Sequence, residues 1–158
     1  MVLQLLSLVC VTKGEPPMNT NERLRVLYVE DNCDSFEMLR TMLGMSQIDL
    51  ECAVSVSEAL TRAGSERFDL YLLDTVLPDG SGISLCRTLR AVDPEIPVVF
   101  YSGNAHTEQI RSGLAAGASG YITKPNSDKL AATILRLLTA HRERHPAFTD
   151  FRVLSAAT

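Results

Sequence analysis

The sequence predicts an α/β fold in which five parallel strands form one sheet with helices on both faces. Five short, mainly apolar runs alternate with longer segments whose apolar residues recur at helical spacing. With right-handed crossovers, this strict alternation gives a doubly wound sheet. The length of 158 residues fits one such domain, and 46% hydrophobic and 22% charged residues are typical of a globular protein.

The predicted strands carry apolar residues on both faces because a parallel strand between two helical layers is buried on both sides. The second of the five runs is the weakest. In chain order, the runs are residues 26–29, 50–54, 70–73, 98–101 and 121–122.

Each predicted helix carries an apolar stripe that faces the sheet. Asn126 or Ser127 is the predicted N-cap of the last helix, which has the longest stripe. The five stripes are Phe36, Leu39, Met42 and Leu43; Val56, Ala59, Leu60 and Ala63; Leu85, Leu89 and Val92; Ile110 and Leu114; and Leu130, Ile134, Leu137 and Leu138.

The charge and the cysteines exclude some classes of function. Fifteen Lys and Arg against nineteen Asp and Glu give a net charge of −4, so tight, direct binding to nucleic acid is not expected. Cys10, Cys33, Cys52 and Cys86 are too far apart for a CxxC pair or a zinc motif. They favour reduced, buried thiols in a cytoplasmic protein.

Two segments lie outside the alternating pattern. Residues 1–23 are predicted to be a flexible N-terminal extension, whose apolar part is much shorter than the roughly 20 residues that span a membrane. Met18 is a candidate natural start; the alternatives are a weak signal peptide or an apolar segment that packs on the domain or on another copy. Residues 24–141 form the predicted domain, and residues 142–158 form a tail.

Polar side chains follow four of the predicted strands. Glu30 and Asp31 follow the first strand, Asp74 the third, Ser102 the fourth and Lys124 the fifth. The carboxyl ends of parallel strands meet at one edge of the sheet, where ligands bind in such folds. Three carboxylates repel one another unless a cation is present, and Mg²⁺ prefers such oxygen ligands. Asp74, alone at the middle of the sheet, is the predicted nucleophile for a phosphoryl group.

Four segments carry these residues and resemble the receiver domain of two-component response regulators over about residues 24–141. Serine replaces the commoner threonine at position 102 and keeps the hydroxyl. The resemblance implies a flavodoxin-like fold with five strands in the order 2-1-3-4-5. The segments are residues 29–32 (VEDN), residues 73–78 (LDTVLP) with Gly82, residues 101–103 (YSG) and residues 117–125 (GASGYITKP).

The resemblance also implies a set of roles. A histidine kinase or a histidine phosphotransfer protein would phosphorylate Asp74, and Ser102 and Lys124 would contact the phosphoryl oxygens. Tyr121 would turn inward on phosphorylation, and a cis peptide bond is expected before Pro125. Mg²⁺ would be held by Asp31 and Asp74 directly, by Glu30 partly through water, and by the backbone carbonyl of Val76.

The resemblance favours a single-domain regulator in which phosphorylation changes the shape of one face. That face would bind a downstream partner or form a homodimer. That face comprises the fourth helix, the fifth strand and the fifth helix. The protein is expected to be a signalling domain and not an enzyme with turnover. A phosphoaspartate phosphatase would place a second acid where Val76 stands. A phosphorylation-independent interaction module and a fragment of a longer regulator are the remaining alternatives.

Overall fold

A computed structural model describes residues 23–144 as one parallel sheet with helices on both faces. The strands of the sheet are β1 (Leu24–Val29), β2 (Ile48–Ala53), β3 (Leu70–Leu73), β4 (Val98–Ser102) and β5 (Gly120–Thr123). Their order is β2-β1-β3-β4-β5, which confirms the predicted fold class and strand order. The candidate start at Met18, Cys10 and most of the predicted extension and tail lie outside the described residues.

Five helices connect and cover the strands. They are α1 (Cys33–Leu43), α2 (Val56–Ser65), α3 (Gly82–Val92), α4 (Thr107–Ala115) and α5 (Ser127–Arg144). A 3₁₀ turn, Gly44–Ser46, follows α1. A hairpin of two short antiparallel strands, Val76–Leu77 and Gly80–Ser81, leads from β3 into α3. The apolar pattern of the sequence does not predict this hairpin, and α5 continues three residues beyond the predicted domain boundary at residue 141.

Two hydrophobic clusters lie on opposite faces of the sheet. In β1, Val26 and Tyr28 pack toward α1 and α5, whereas Leu27 and Val29 pack toward α2 and α3. All four side chains are fully buried. The continuous apolar run therefore arises because each face of the strand has its own helical layer.

Side-chain caps fix where the helices begin after the strands. The Asn32 side chain accepts a hydrogen bond from the Ser35 amide, and Ser81 accepts one from the Ile83 amide, both at 3.1 Å. The Asn126 side chain accepts one from the Lys129 amide at 3.4 Å, so Asn126 is the cap of the two candidates. Each such cap contributes about 1 kcal/mol.

Three residues of the predicted apolar stripes are exposed instead of buried. Met42, Val92 and Leu114 are 39%, 63% and 48% exposed, respectively. In α1 the core contacts come from Leu39 and Leu43, and Met42 lies to the side of them. Val92 ends α3 beyond its last buried residue, and α4 approaches the sheet through a glycine, so that Leu114 faces outward.

That glycine is Gly113, which brings the backbone of α4 very close to the sheet. A Cβ atom added there would lie 3.0 Å from Phe100 and 3.1 Å from Tyr121. The aromatic rings of β4 and β5 therefore pack directly on the helix backbone.

None of the helices in residues 23–144 is both long and apolar enough to cross a bilayer. Among the described cysteines, all of which are free thiols, only Cys86 is buried, whereas Cys33 is exposed and Cys52 is half-buried. The expectation of uniformly buried thiols is therefore wrong, because Cys33 opens α1 at the edge of the sheet.

An ion-pair network ties β1 and β2 to α2. Arg25 bonds Glu51 at 2.7 Å and Glu66 at 2.6 Å, while Arg62 bonds Glu66 at 2.9 Å and also pairs with Glu51. Hydrogen bonds from Arg62 and then Arg25 lower the pKa of Glu66 from 4.5 to about 2. Glu66 is thus ionised in the folded protein at pH values where it is protonated in the unfolded chain.

The stability of the domain is expected to depend on Glu66 in acid. A lowered pKa contributes stability that is complete above the unfolded value of 4.5 and is lost as the pH falls toward about 2. A Glu66→Gln variant should therefore show a flatter pH dependence of its free energy of unfolding in this interval. Urea unfolding at several pH values measures this, and parallel curves for the two proteins would contradict it.

Gly82 fixes the path of the chain after β3. A Cβ atom at this position would lie 1.8 Å from the carbonyl oxygen of Asp74 and 3.1 Å from the Cα of Thr75. The Gly82 amide also donates to the Thr75 carbonyl at 3.0 Å. Only glycine allows α3 to begin this close to the strand end.

A Gly82→Ala variant is expected to lose about 1–3 kcal/mol of stability, because backbone atoms must move to admit the methyl group. Gly64→Ala is the matched control, since Gly64 lies in α2 with no neighbour within 4 Å of an added Cβ. Chemical denaturation of both variants gives the comparison. Equal stability of Gly82→Ala and the wild type would show that the contact is not restrictive.

Candidate functional site

The register of the sheet brings the polar strand ends together. Val29 of β1 lies opposite Leu73 of β3, so Glu30 and Asp74 leave the sheet side by side. The Asp74 amide donates to the Val29 carbonyl at 3.0 Å, which extends the pairing one residue beyond the strands. In the same way, the Lys124 amide donates to the carbonyl of Ser102 at 2.9 Å. These residues therefore share one edge of the sheet, as predicted.

The Asp74 carboxylate is held through both oxygens. Oδ1 accepts hydrogen bonds from the Ser102 hydroxyl at 2.9 Å, from the Thr75 amide at 2.5 Å and from the Val76 amide at 3.3 Å. Oδ2 accepts from the Lys124 ammonium at 2.8 Å. The carboxylate is therefore oriented by its neighbours and points to the open edge of the sheet.

Glu30 is the second anchor of the site and is only 3% exposed. Its Oε2 accepts a hydrogen bond from the Tyr28 hydroxyl at 2.8 Å and pairs with the Lys124 ammonium. Its Oε1 accepts from the Asn32 amide at 3.0 Å. A buried carboxylate must have such partners, and here they hold it toward Lys124.

Lys124 joins the two carboxylates. Burial lowers the pKa of Lys124, but its hydrogen bonds to Asp74 and Glu30 outweigh this effect and raise the pKa above its usual value. The ammonium also lies 5.6 Å from the centre of the Tyr101 ring. The peptide bond between Lys124 and Pro125 is cis, as expected from the resemblance. Lys124 is therefore a fixed positive charge within the site.

Asp74 is ionised at neutral pH. Burial raises the pKa of Asp74, but Lys124 and then the Ser102 hydroxyl and the Val76 amide lower it by more. The result is a pKa below the usual aspartate value, so the carboxylate carries no proton that a reaction would first have to remove.

Asp31 lies apart from this group. It is exposed, and its neighbour Glu30 is turned inward to Lys124. Over residues 23–144, no three His, Cys, Asp or Glu side chains converge in an arrangement that holds a metal ion. The structure thus brings Glu30, Asp74, Ser102 and Lys124 into contact and leaves Asp31 at the rim.

Hydrogen bonds connect Ser102 to Tyr121 through the loop after β4. The Asn104 amide donates to the Ser102 hydroxyl at 3.3 Å, and the Tyr121 hydroxyl donates to the Asn104 carbonyl at 2.7 Å. The half-buried Tyr121 ring packs on Phe100 with the ring centres 5.5 Å apart. The two predicted switch residues, Ser102 and Tyr121, are therefore linked through the backbone of Asn104.

The sequence pattern does not indicate Thr75 or Tyr28 as residues of the site. Thr75 is buried, and its hydroxyl lies 2.7 Å from the Ser102 hydroxyl. The only signal for Thr75 is a hydroxyl directly after the acidic strand end, and the sequence does not tell which way that hydroxyl points. Tyr28 could have been suspected, because a tyrosine in a strand buried on both faces needs a partner for its hydroxyl.

Comparison with known proteins places this site in a family. Residues 26–135 match the family model described as the response regulator receiver domain. The response regulator protein PilR of Pseudomonas aeruginosa is 35% identical over 136 residues, which cover 84% of this chain and 30% of that protein. The DNA-binding response regulator MtrA of Mycolicibacterium smegmatis is 36% identical over 125 residues, which cover 79% of this chain and 54% of that protein.

A solved structure agrees with these matches. The crystal structure of a CheY-like response regulator receiver domain from Methanospirillum hungatei superposes with a TM-score of 0.72 and 29% identity, covering 77% of this chain and 98% of that one. The chain spans about a third and about half of the length of the two curated relatives. By sequence, fold and the set of residues at the edge of its sheet, the chain belongs to the receiver domains of two-component response regulators.

Proposed function

We propose that Asp74 accepts a phosphoryl group from the phosphohistidine of a histidine kinase or of a histidine phosphotransfer protein. The observation that carries this proposal is an ionised carboxylate held between the Lys124 ammonium at 2.8 Å and the Ser102 hydroxyl at 2.9 Å. The Lys124 ammonium supplies positive charge, and the Ser102 hydroxyl supplies a hydrogen-bond donor. Both stabilise the negative charge on the oxygens of a phosphoryl group during transfer.

The proposed step exchanges one bond for another. An oxygen of the Asp74 carboxylate attacks phosphorus, the phosphorus–nitrogen bond to the histidine breaks, and the imidazole nitrogen leaves with the electron pair. Lys124 balances the charge on the phosphoryl oxygens, and Ser102 donates its hydroxyl hydrogen to one of them. The chain's contribution is mainly orientation and charge stabilisation.

Receiver domains of this family generally bind Mg²⁺ at the phosphorylation site, and the chemistry of the donors here suits such an ion, although three acidic side chains do not converge on one point within residues 23–144. The edge of the sheet carries three carboxylates against the single ammonium of Lys124, and all of the donors are hard oxygens. Asp31 and Asp74 would hold the ion directly, Glu30 partly through water, and Val76 through its backbone carbonyl. When bound, Mg²⁺ neutralises charge on the incoming phosphoryl group.

We propose that the signal passes from Ser102 to Tyr121. If Ser102 moves toward a phosphoryl oxygen, its bond from the Asn104 amide at 3.3 Å changes, and the Asn104 carbonyl that holds the Tyr121 hydroxyl changes with it. The face formed by α4, β5 and α5 would then bind a downstream protein or a second copy. Exposed Leu114 and Leu135 on this face supply apolar contact area.

Receiver domains are signalling domains that interact with kinases and output targets, and we propose that the catalysis of this chain is confined to its own phosphorylation and dephosphorylation. Action as a single-domain regulator in the cytoplasm stays a prediction, with a fragment of a longer regulator as its alternative. The DNA binding in the name of the mycobacterial relative belongs to that protein, and we propose none for this receiver, since its net charge is −4.

Incubation with acetyl phosphate and Mg²⁺ is expected to add one phosphoryl group to the protein, detected by intact mass. The Asp74→Asn variant should remain unlabelled, because an amide cannot form the acyl phosphate. Addition of EDTA before the donor should prevent labelling of the wild type. A wild type that stays unlabelled with Mg²⁺ bound would favour an interaction module that ignores phosphate, whereas equal labelling of Asp74→Asn would place the phosphoryl group on another residue. Either result would overturn the proposed function.

A Lys124→Gln variant is expected to be labelled at least about tenfold more slowly, because the charge that faces the phosphoryl oxygens is lost. Lys129→Gln is the matched control, since Lys129 is exposed on α5 away from the site. Initial rates of labelling give the comparison, and circular dichroism confirms that both variants fold. The same rate in Lys124→Gln and in the control would remove Lys124 from the mechanism.

A further inference from the structure

We propose that Thr75 is a positioning residue that holds the Ser102 hydroxyl on the phosphoryl acceptor. This inference rests on the proposed function of Asp74 and adds a residue that neither the sequence pattern nor the family comparison assigns. It concerns the contact between the Thr75 and Ser102 hydroxyls beside Asp74.

The Thr75 and Ser102 hydroxyls are in contact, and both residues are buried. Thr75 is 4% exposed and Ser102 is 1% exposed, and their oxygens are 2.7 Å apart. The distance from the Thr75 hydroxyl to Oδ1 of Asp74 is 3.5 Å, which is too long to compete. Thr75 therefore reaches the acceptor carboxylate through Ser102.

The donor in each hydrogen bond follows from the single hydrogen atom that each hydroxyl carries. An ionised carboxylate only accepts hydrogen bonds, so the bond between Ser102 and Oδ1 of Asp74 uses the single hydrogen of the Ser102 hydroxyl. Thr75 must then be the donor to Ser102. The Asn104 amide donates to the same oxygen at 3.3 Å. The Ser102 oxygen thus accepts two hydrogen bonds and gives its hydrogen to Asp74.

The identity of residue 102 explains why such a constraint matters. Threonine is β-branched and has few χ1 rotamers, whereas serine rotates more freely among the three staggered positions. With serine at 102, packing alone does not fix the direction of the hydroxyl. The donor at Thr75 supplies the missing restraint and keeps Ser102 at the acceptor before the phosphoryl group arrives, which lowers the ordering needed during transfer.

The test compares Thr75→Val, which keeps the shape of the side chain without its hydroxyl, with Thr75→Ser, which keeps the hydroxyl. The initial rate of labelling by acetyl phosphate with Mg²⁺ is expected to fall about three- to tenfold in Thr75→Val, the range that corresponds to one hydrogen bond. Thr75→Ser should restore most of the rate. The Asn104 amide resonance should shift in Thr75→Val but not in Thr75→Ser, because that amide shares the Ser102 oxygen.

A double-mutant cycle makes the test specific. In a Ser102→Thr background, the χ1 preference of threonine takes over the restraint, so the effect of Thr75→Val should shrink to less than about twofold. If Thr75→Val does not fold, Thr75→Ala replaces it in the same cycle. Unchanged labelling by the variant that lacks the hydroxyl, or equal slowing in Thr75→Ser, would overturn this inference. Such a result leaves the function of Asp74 intact, whereas an unlabelled wild type overturns the function itself.

Discussion

The ammonium of Lys124 lies between two carboxylates that the parallel sheet delivers to its edge, and the geometry of the site depends on this arrangement. Glu30 is buried and would be costly as an isolated charge, so the Tyr28 hydroxyl and the Asn32 amide hold it beside Lys124. Asp74 is less buried and shares the same ammonium. The structure thus stabilises one carboxylate fully and leaves the other partly open for chemistry.

The same arrangement explains why the buried strands and the carboxyl edge of the sheet have different roles. Strands with apolar side chains on both faces fix the positions of Glu30 and Asp74 relative to each other, because a slip by one residue would exchange the buried faces. Ser102 ends β4, and Asn104 and Lys124 follow β4 and β5, so the polar groups lie where the pairing of the sheet stops. Gly82 then limits the loop after β3, since the start of α3 rests on the backbone of Asp74.

Much of this arrangement could be predicted from the sequence, for a physical reason. An apolar run that stops at a polar residue marks a strand end, and parallel strands bring those ends to one edge, so Glu30, Asp74, Ser102 and Lys124 could be placed together without coordinates. The outward rotation of Met42 and Leu114 could not, because it depends on how each helix settles on the sheet. The inward direction of the Thr75 hydroxyl depends on the turn after β3, which no periodic pattern reports.

The close approach of α4 to the sheet at Gly113 has a mechanical consequence. The rings of Phe100 and Tyr121 lie against the helix backbone without a side chain between them, so rotation of the Tyr121 ring changes its packing on α4. We therefore expect displacement of the helix and rotation of the ring to be coupled. If Asp74 is phosphorylated as proposed, thermodynamic reciprocity means that a protein that binds α4 in its displaced position would make the acyl phosphate more favourable, so a downstream target would itself raise the phosphorylated fraction.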